Sequence, residues 1–303
     1  MAIHEQFVSD ETRAALVELV AGPRLAAMRE TPGFADVSRR LVAIWREHAG
    51  EDDKAYAHHL RDLGRFTSGV WALYLNSTPG GLTTSRLGAL LAWSNVAGAG
   101  RARALMVYLR FIGYVAAVPA GGDAREKRFV PTERLVRAVT TRLSREFAAM
   151  APLNSDFATV LRHLPEPGAF NIYAELMGES WLAFLMVRHE PTGPSLEMFA
   201  QRYAGMMLLS ELLATAEPDD VFPPERPMRF QVAALARKAG ISRTQVRQLL
   251  RDAEVEGLLI LTEEGVAQPT AALREQLEFT TAGQILGSAW CAGRFIDRIG
   301  QQA

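Results

Sequence analysis

Thr83 to Thr132 reads TTSRLGALLAWSNVAGAGRARALMVYLRFIGYVAAVPAGGDAREKRFVPT, and it passes from a helical to a strand period within fifty residues. Leu87, Leu90 and Leu91 give a first helix one apolar stripe. Asn95 to Gly98 make a tight turn, and Ala102, Leu105, Leu109 and Ile112 stripe a second helix at spacings of three and four. Gly113 ends that helix at the position where a left-handed residue costs least. Tyr114–Val118 and Arg128–Val130 then alternate as strands around a Gly-Gly-Asp tip that carries Arg125, Lys127 and Arg128. Thr132 opens the next helix, with its hydroxyl expected as the N-cap.

Working outward, a helix is expected over Asp10–Met28, with Leu16, Leu19 and Val20 on one face. After Thr31-Pro32-Gly33 a second runs from Phe34 to His48 with Val37, Leu41, Ile44 and Trp45. A long helix to about Asn76 carries Leu60, Leu63, Phe66, Val70, Leu73 and Tyr74, and Pro79-Gly80-Gly81 stops it. The second half follows the same order. Pro167-Gly168 stands before Phe170 as Pro32-Gly33 stands before Phe34, a breaker leads to a helix over Leu196–Ala214, and a proline-rich linker leads to FQVAALARKAGISRTQVRQLLRDAEVEGLLIL. Laying Gly257 on Gly113, an offset of 144, places Val246 on Ala102, Leu249 on Leu105, Ala253 on Leu109 and Val255 on Phe111. Pro131-Thr132 and Pro269-Thr270 then open the helices Glu133–Met150 and Ala271–Ile299.

The order of helix, turn, helix and hairpin, met twice, predicts a mainly α fold with small β-wings. It would hold tandem winged helix-turn-helix units in a pseudo-two-fold internal duplication. Residues 1–150 would hold an N-terminal helical segment and a first winged unit at about 83–132. Residues 151–303 would repeat it, with the second unit at about 228–269.

Composition narrows the function. The chain has 303 residues and a net charge of −1, so binding to nucleic acid must come from local basic faces. From Thr83 to Met150 eleven cations stand against four carboxylates, a local charge of +7. Cys291 is the one cysteine, which excludes an internal disulfide and a cysteine-based zinc site. The histidines form no i, i+4 pair, and no nucleophile elbow is recognisable. Gly98-Ala99-Gly100 follows a helix rather than the strand a dinucleotide fingerprint needs. No catalytic activity, metal or cofactor is expected. The start of the chain lacks a secretory pattern and no apolar run reaches the ~18 residues of a membrane span, so the expected location is the cytoplasm, with no membrane partner.

The chemistry of the two second helices points to double-stranded DNA. Ser242 is a good N-cap, and behind it Arg243, Thr244, Gln245, Arg247, Gln248 and Arg251 form the outer face. Arginine forks onto guanine O6 and N7, and glutamine onto adenine N6 and N7. On the first unit the outer face is expected to carry Ala99, Gly100, Arg101, Arg103, Met106 and Arg110. Arg101, Arg103, Arg243, Gln245 and Arg247 are the candidate base readers. Arg125, Lys127, Arg128 and Arg251 are the candidate phosphate contacts. Glu263 and Glu264 make the second hairpin tip unsuited to DNA.

At these residues, LTTSRLGALL…GRARALMVYLRFIGYV…KRFVPTERL and VAALARKAGISRTQVRQLLRDAEVEGLLIL…PTAAL, the chain resembles winged-helix bacterial transcription regulators, most closely the MarR-like class. The resemblance implies sequence-specific DNA binding, with a small-molecule effector between the helical core and the winged units. Two copies in one chain fit a monomer with pseudo-two-fold symmetry or a homodimer. Two other readings use the same motifs: a winged-helix protein-interaction or chromosome-organising module, and a plasmid-type replication initiator.

Overall fold

The computed structural model describes residues 9–19, 21–47, 54–118, 127–187, 195–263 and 265–301. It is mainly helical, with two small three-stranded antiparallel sheets. In chain order the first elements are α1 (Asp10–Leu19), α2 (Gly22–Arg29), α3 (Phe34–Glu47), α4 (Lys54–Leu60) and α5 (Leu63–Ser77). There follow β1 (Leu82–Thr83), α6 (Thr84–Trp93), α7 (Ala99–Phe111), β2 (Val115–Ala117), β3 (Arg128–Pro131) and α8 (Glu133–Met150). Then come α9 (Asp156–His163), α10 (Ala169–Val187), α11 (Glu197–Ala200) and α12 (Gly205–Leu213). The last are β4 (Met228–Arg229), α13 (Val232–Ala239), α14 (Arg243–Val255), β5 (Leu259–Glu263), β6 (Val266–Pro269) and α15 (Ala271–Gly300). Among the described residues no helix is long and apolar enough to cross a membrane.

Two helix–helix pairs lie inside small sheets of one topology. β1 pairs with β3 and β3 with β2; likewise β4 pairs with β6 and β6 with β5. The registers correspond, Val115 facing Pro131 and Leu259 facing Pro269. α6 buries Leu87, Leu90 and Leu91, and α7 buries Ala102, Leu105 and Leu109, as their spacing predicts. Ile112 is instead the half-buried C-cap of α7. Gly113 and Gly257 leave α7 and α14 at φ of 75° and 73°, a conformation that costs a residue with a Cβ about 1–2 kcal/mol. The threonine that follows each hairpin ties back to that turn: Thr132 Oγ1 donates to Gly113 O at 2.7 Å, and Thr270 Oγ1 to Gly257 O at 2.7 Å. Thr132 is therefore not the hydroxyl cap expected for α8; its hydroxyl is aimed at Gly113.

β1 and β4 have no counterpart in the sequence reading. A strand of two residues carries no period, and only its partner defines it. Three expected helices are each two. The first divides at Ala21 and the third at Arg61-Asp62. Leu196–Ala214 divides where Ala204 turns left-handed, at φ 57°, and donates its N–H to Arg61 O at 2.7 Å. Beside it Gly205 lies so close to the Phe199 carbonyl that no Cβ would fit.

Packing groups the chain into two compact units, and both are interleaved in sequence. One comprises residues 1–24, 64–189 and 285–303; the other comprises 25–63 and 190–284. In the first, α10 packs on α1, and Gly178 of α10 meets α5 where an added Cβ would strike the Tyr74 ring. Phe147, Phe157, Tyr173 and Phe295 form its aromatic centre, with ring centroids 5.3 to 6.0 Å apart. In the second, α3 packs on α12, and Val42 joins Leu208, Leu209, Leu212, Leu249 and Leu277 in one core. Ser38 Oγ donates to Thr281 Oγ1 at 3.1 Å inside it. Burying each such leucine contributes ~1.5–3 kcal/mol.

α3 and α10 each start directly after a left-handed glycine, Gly33 at φ 88° and Gly168 at φ 81°. α3, from the first half of the chain, packs on the second-half helix α12, and its Val42 shares one core with residues of α13 and α14. α10, from the second half, packs with the first-half helices α1 and α5 of the other. The helical segments are thus exchanged between halves, which no periodicity within one helix encodes.

Candidate nucleic-acid interface

The outer face of α14 is built from its first residue. Gly240 ends α13 at φ 67°, and Ser242 takes extended backbone as the N-cap. Ser242 Oγ accepts the Gln245 N–H at 3.1 Å, and Gln245 Oε1 accepts the Ser242 N–H at 2.9 Å. This reciprocal pair satisfies two of the donors that a helix start leaves open and is worth ~1 kcal/mol. Val246, Leu249, Leu250 and Ala253 anchor the opposite side in the core. The helix is fixed at its start and along its length, so the side chains facing outward have a rigid base.

Arg243, Thr244, Gln245, Arg247, Gln248 and Arg251 are all exposed, as expected. At 3.6 residues per turn, Thr244, Gln248 and Arg251 lie in one row with Arg247 at its border. The side chains of Arg243, Arg247 and Arg251 hold no ion pair or hydrogen bond with a described residue. Gln248 Nε2 donates to Asp252 Oδ1 at 2.7 Å, and Arg202 approaches the other oxygen at 3.4 Å. Gln248 is therefore positioned from below. Gln245 lies to the side of the row with its carbonyl oxygen engaged in the cap, so only its amide nitrogen is left for a ligand.

The first module places its residues differently. Arg101, Arg103 and Arg110 of α7 are exposed, as are Lys127 and Arg128 at the start of β3. Arg110 lies over the Phe129 ring at 5.7 Å. Met106, expected on the outer face, is 3 % exposed and packs in the core. The side chain of Ala99, all of Arg125 and Glu264, and the side chain of Glu263 lie outside the described residues. Several cations of this region serve the fold instead. Arg86 donates to Gly81 O at 2.6 Å, Arg134 to Ile112 O at 2.6 Å, and Arg142 pairs with Glu146 at 2.7 Å. The local excess of positive charge is thus partly internal, and its outward share sits on α7 and at the base of the hairpin.

The offset of 144 also sets Val255 on Phe111, two hydrophobic residues that by type alone belong in the core. Both are exposed, at 86 % and 88 %. The two match in position and both face solvent: two residues after the last buried positions, Leu109 and Ala253, the helix has turned the side chain outward. Residue type assigns such residues to the core, whereas the angle around α7 sets Gly100, Ala104, Val107 and Phe111 in one exposed outer row.

Among the described residues no group of three histidine, cysteine or carboxylate side chains could hold a metal ion. Cys291 is buried, and burial pushes its thiol up to about 12, which keeps it protonated near neutral pH. Compared with known protein families, curated proteins and solved structures, the chain matches none.

Proposed function

We propose that the chain is a sequence-specific, double-stranded-DNA-binding transcription regulator, with two winged helix-turn-helix units of the MarR-like kind in one chain. α14 is the reading helix. The observation that carries this is the exposed row Thr244, Arg247, Gln248 and Arg251 on a helix locked by its capping box. Arg247 and Arg251 offer forked donors for guanine, Gln248 offers its carbonyl oxygen and the amide N–H not given to Asp252 for adenine, and Thr244 reaches a phosphate or a base edge. Lys127 and Arg128 of the other module supply sequence-independent phosphate contacts. The duplicated plan would let one module read base pairs through α14 while the hairpin of the other contacts the phosphate backbone.

The test is selection of binding sites from random duplex DNA, followed by titration of the selected duplex against salt. The expected result is one enriched motif and an affinity that falls linearly with log salt. No enriched motif, with no binding at low salt, overturns the reading. A protein-interaction module is the second reading, and the apolar outer row of α7 is the observation that favours it.

A further inference from the structure

α7 and α14 hold equivalent places in their modules, yet their outer rows differ in chemistry. On α14 the row runs Thr244, Gln248, Arg251 and Val255. On α7, at the same positions, it runs Gly100, Ala104, Val107 and Phe111. These four lie within an arc of roughly 60° at 3.6 residues per turn. All four are exposed; Val107 is 62 % and Phe111 is 88 % exposed. Three apolar side chains at i, i+3 and i+7 of a 13-residue helix are the spacing by which one helix seats another. They offer nothing that distinguishes base pairs beyond contact with a thymine methyl.

The borders of the row are cationic. Arg103 and Arg110 flank it on one side and Arg101 on the other, and α7 contains no carboxylate. α14 differs here too, carrying Asp252 and Glu254, with Glu254 Oε1 accepting the Leu261 N–H at 2.8 Å. At the place equivalent to Glu254, α7 has Arg110.

We propose that the outer row of α7 docks an acidic amphipathic segment of a partner protein, whose apolar residues cover Ala104, Val107 and Phe111 and whose carboxylates pair with Arg101, Arg103 and Arg110. Charge decides the occupant. A second copy of this chain meeting the row through the same face would set these arginines against one another, a like-charge arrangement that disfavours a two-fold contact. A partner with carboxylates along both borders of an apolar stripe complements the row in charge and in apolar surface. The aromatic end, Phe111, offers the largest apolar surface of the row, and aromatic side chains are enriched at the cores of such contacts. The proposal stands independently of base reading by α14.

The experiment displays a random peptide library against the full chain, with a parallel selection against Val107→Ser/Phe111→Ser. Both substitutions are at exposed positions, and thermal melting checks that the fold is kept. The wild type should enrich peptides with apolar residues at i, i+3 or i+4, and i+7 and with Asp or Glu between them. A synthetic peptide of that consensus should bind the double variant at least tenfold more weakly. Arg103→Glu should weaken it by a similar factor. Duplex DNA binding should stay within twofold in the double variant. Absence of enrichment, a consensus lacking carboxylates, or equal binding to the variants overturns the proposal. Loss of duplex binding in the double variant also overturns it and assigns the row to DNA. Loss of self-association in that variant, read by sedimentation velocity, overturns it in favour of a second copy.

Discussion

Ser242 and Gln245 each accept the other's backbone N–H, at 3.1 and 2.9 Å, and so fix the first turn of α14. Ser242→Ala removes one acceptor and leaves the Gln245 N–H without its partner. The expected loss is about 1 kcal/mol of stability, read as a lowered urea midpoint. Gln245→Ala should cost less and should leave the preferred duplex sequence unchanged, because the carbonyl of Gln245 serves the cap. A changed base preference in Gln245→Ala would show that its amide reads DNA after all.

Arg247 and Arg128 are expected to fail differently. Arg247→Ala should weaken the selected duplex by about 1–3 kcal/mol and relax preference at one base pair. Arg128→Ala should weaken all sequences alike and lower the salt slope by about 1. Fluorescence anisotropy against matched and single-mismatch duplexes at several salt concentrations separates the two.

Thr132 and Thr270 both bond the carbonyl of the left-handed glycine across the hairpin, yet only Thr270 also accepts the N–H of the residue three positions on, Leu273 at 3.2 Å. Thr270→Val should therefore cost more than Thr132→Val, about 1–2 against about 0.5–1.5 kcal/mol. Equal losses in paired denaturant titrations would mean that the extra cap contributes nothing.

Burial holds the Glu179 carboxyl up at about 7, opposed by Arg298, raised further by Glu175 and opposed again by Arg294. Its folded pKa lies above the unfolded value of 4.5. Stability from this group is therefore full below that value and is lost as pH rises through about 7. Glu179→Gln should flatten that fall and stabilise the protein by about 1–3 kcal/mol at pH 8. Melting curves from pH 4 to 8 check the sign; a variant that is less stable at pH 8 refutes it.

The Thr67 hydroxyl is buried with no hydrogen-bond partner among the described residues. Thr67→Val keeps the shape and removes the unpaired polar group, so it should stabilise the protein by about 1 kcal/mol. A lowered melting temperature would reveal a partner for the hydroxyl.

The local elements are legible in the order of residues alone. The 3.6 period of Leu87, Leu90 and Leu91, the cap at Ser242 and the left-handed glycines at 113 and 257 act within a few residues, so they are readable without partners. The outward position of Arg243, Arg247 and Arg251 follows from the same period. Tertiary structure decided the rest. β1 and β4 exist only because β3 and β6 pair with them, and the breaks at Arg61 and Ala204 are joined by a hydrogen bond between residues far apart in the chain. The exchange of α3 and α10 between the two units depends on which apolar faces meet, and many leucine faces are alike in sequence. The same limit hid Phe111: residue type predicted a buried side chain, and the end of the helix turned it to solvent.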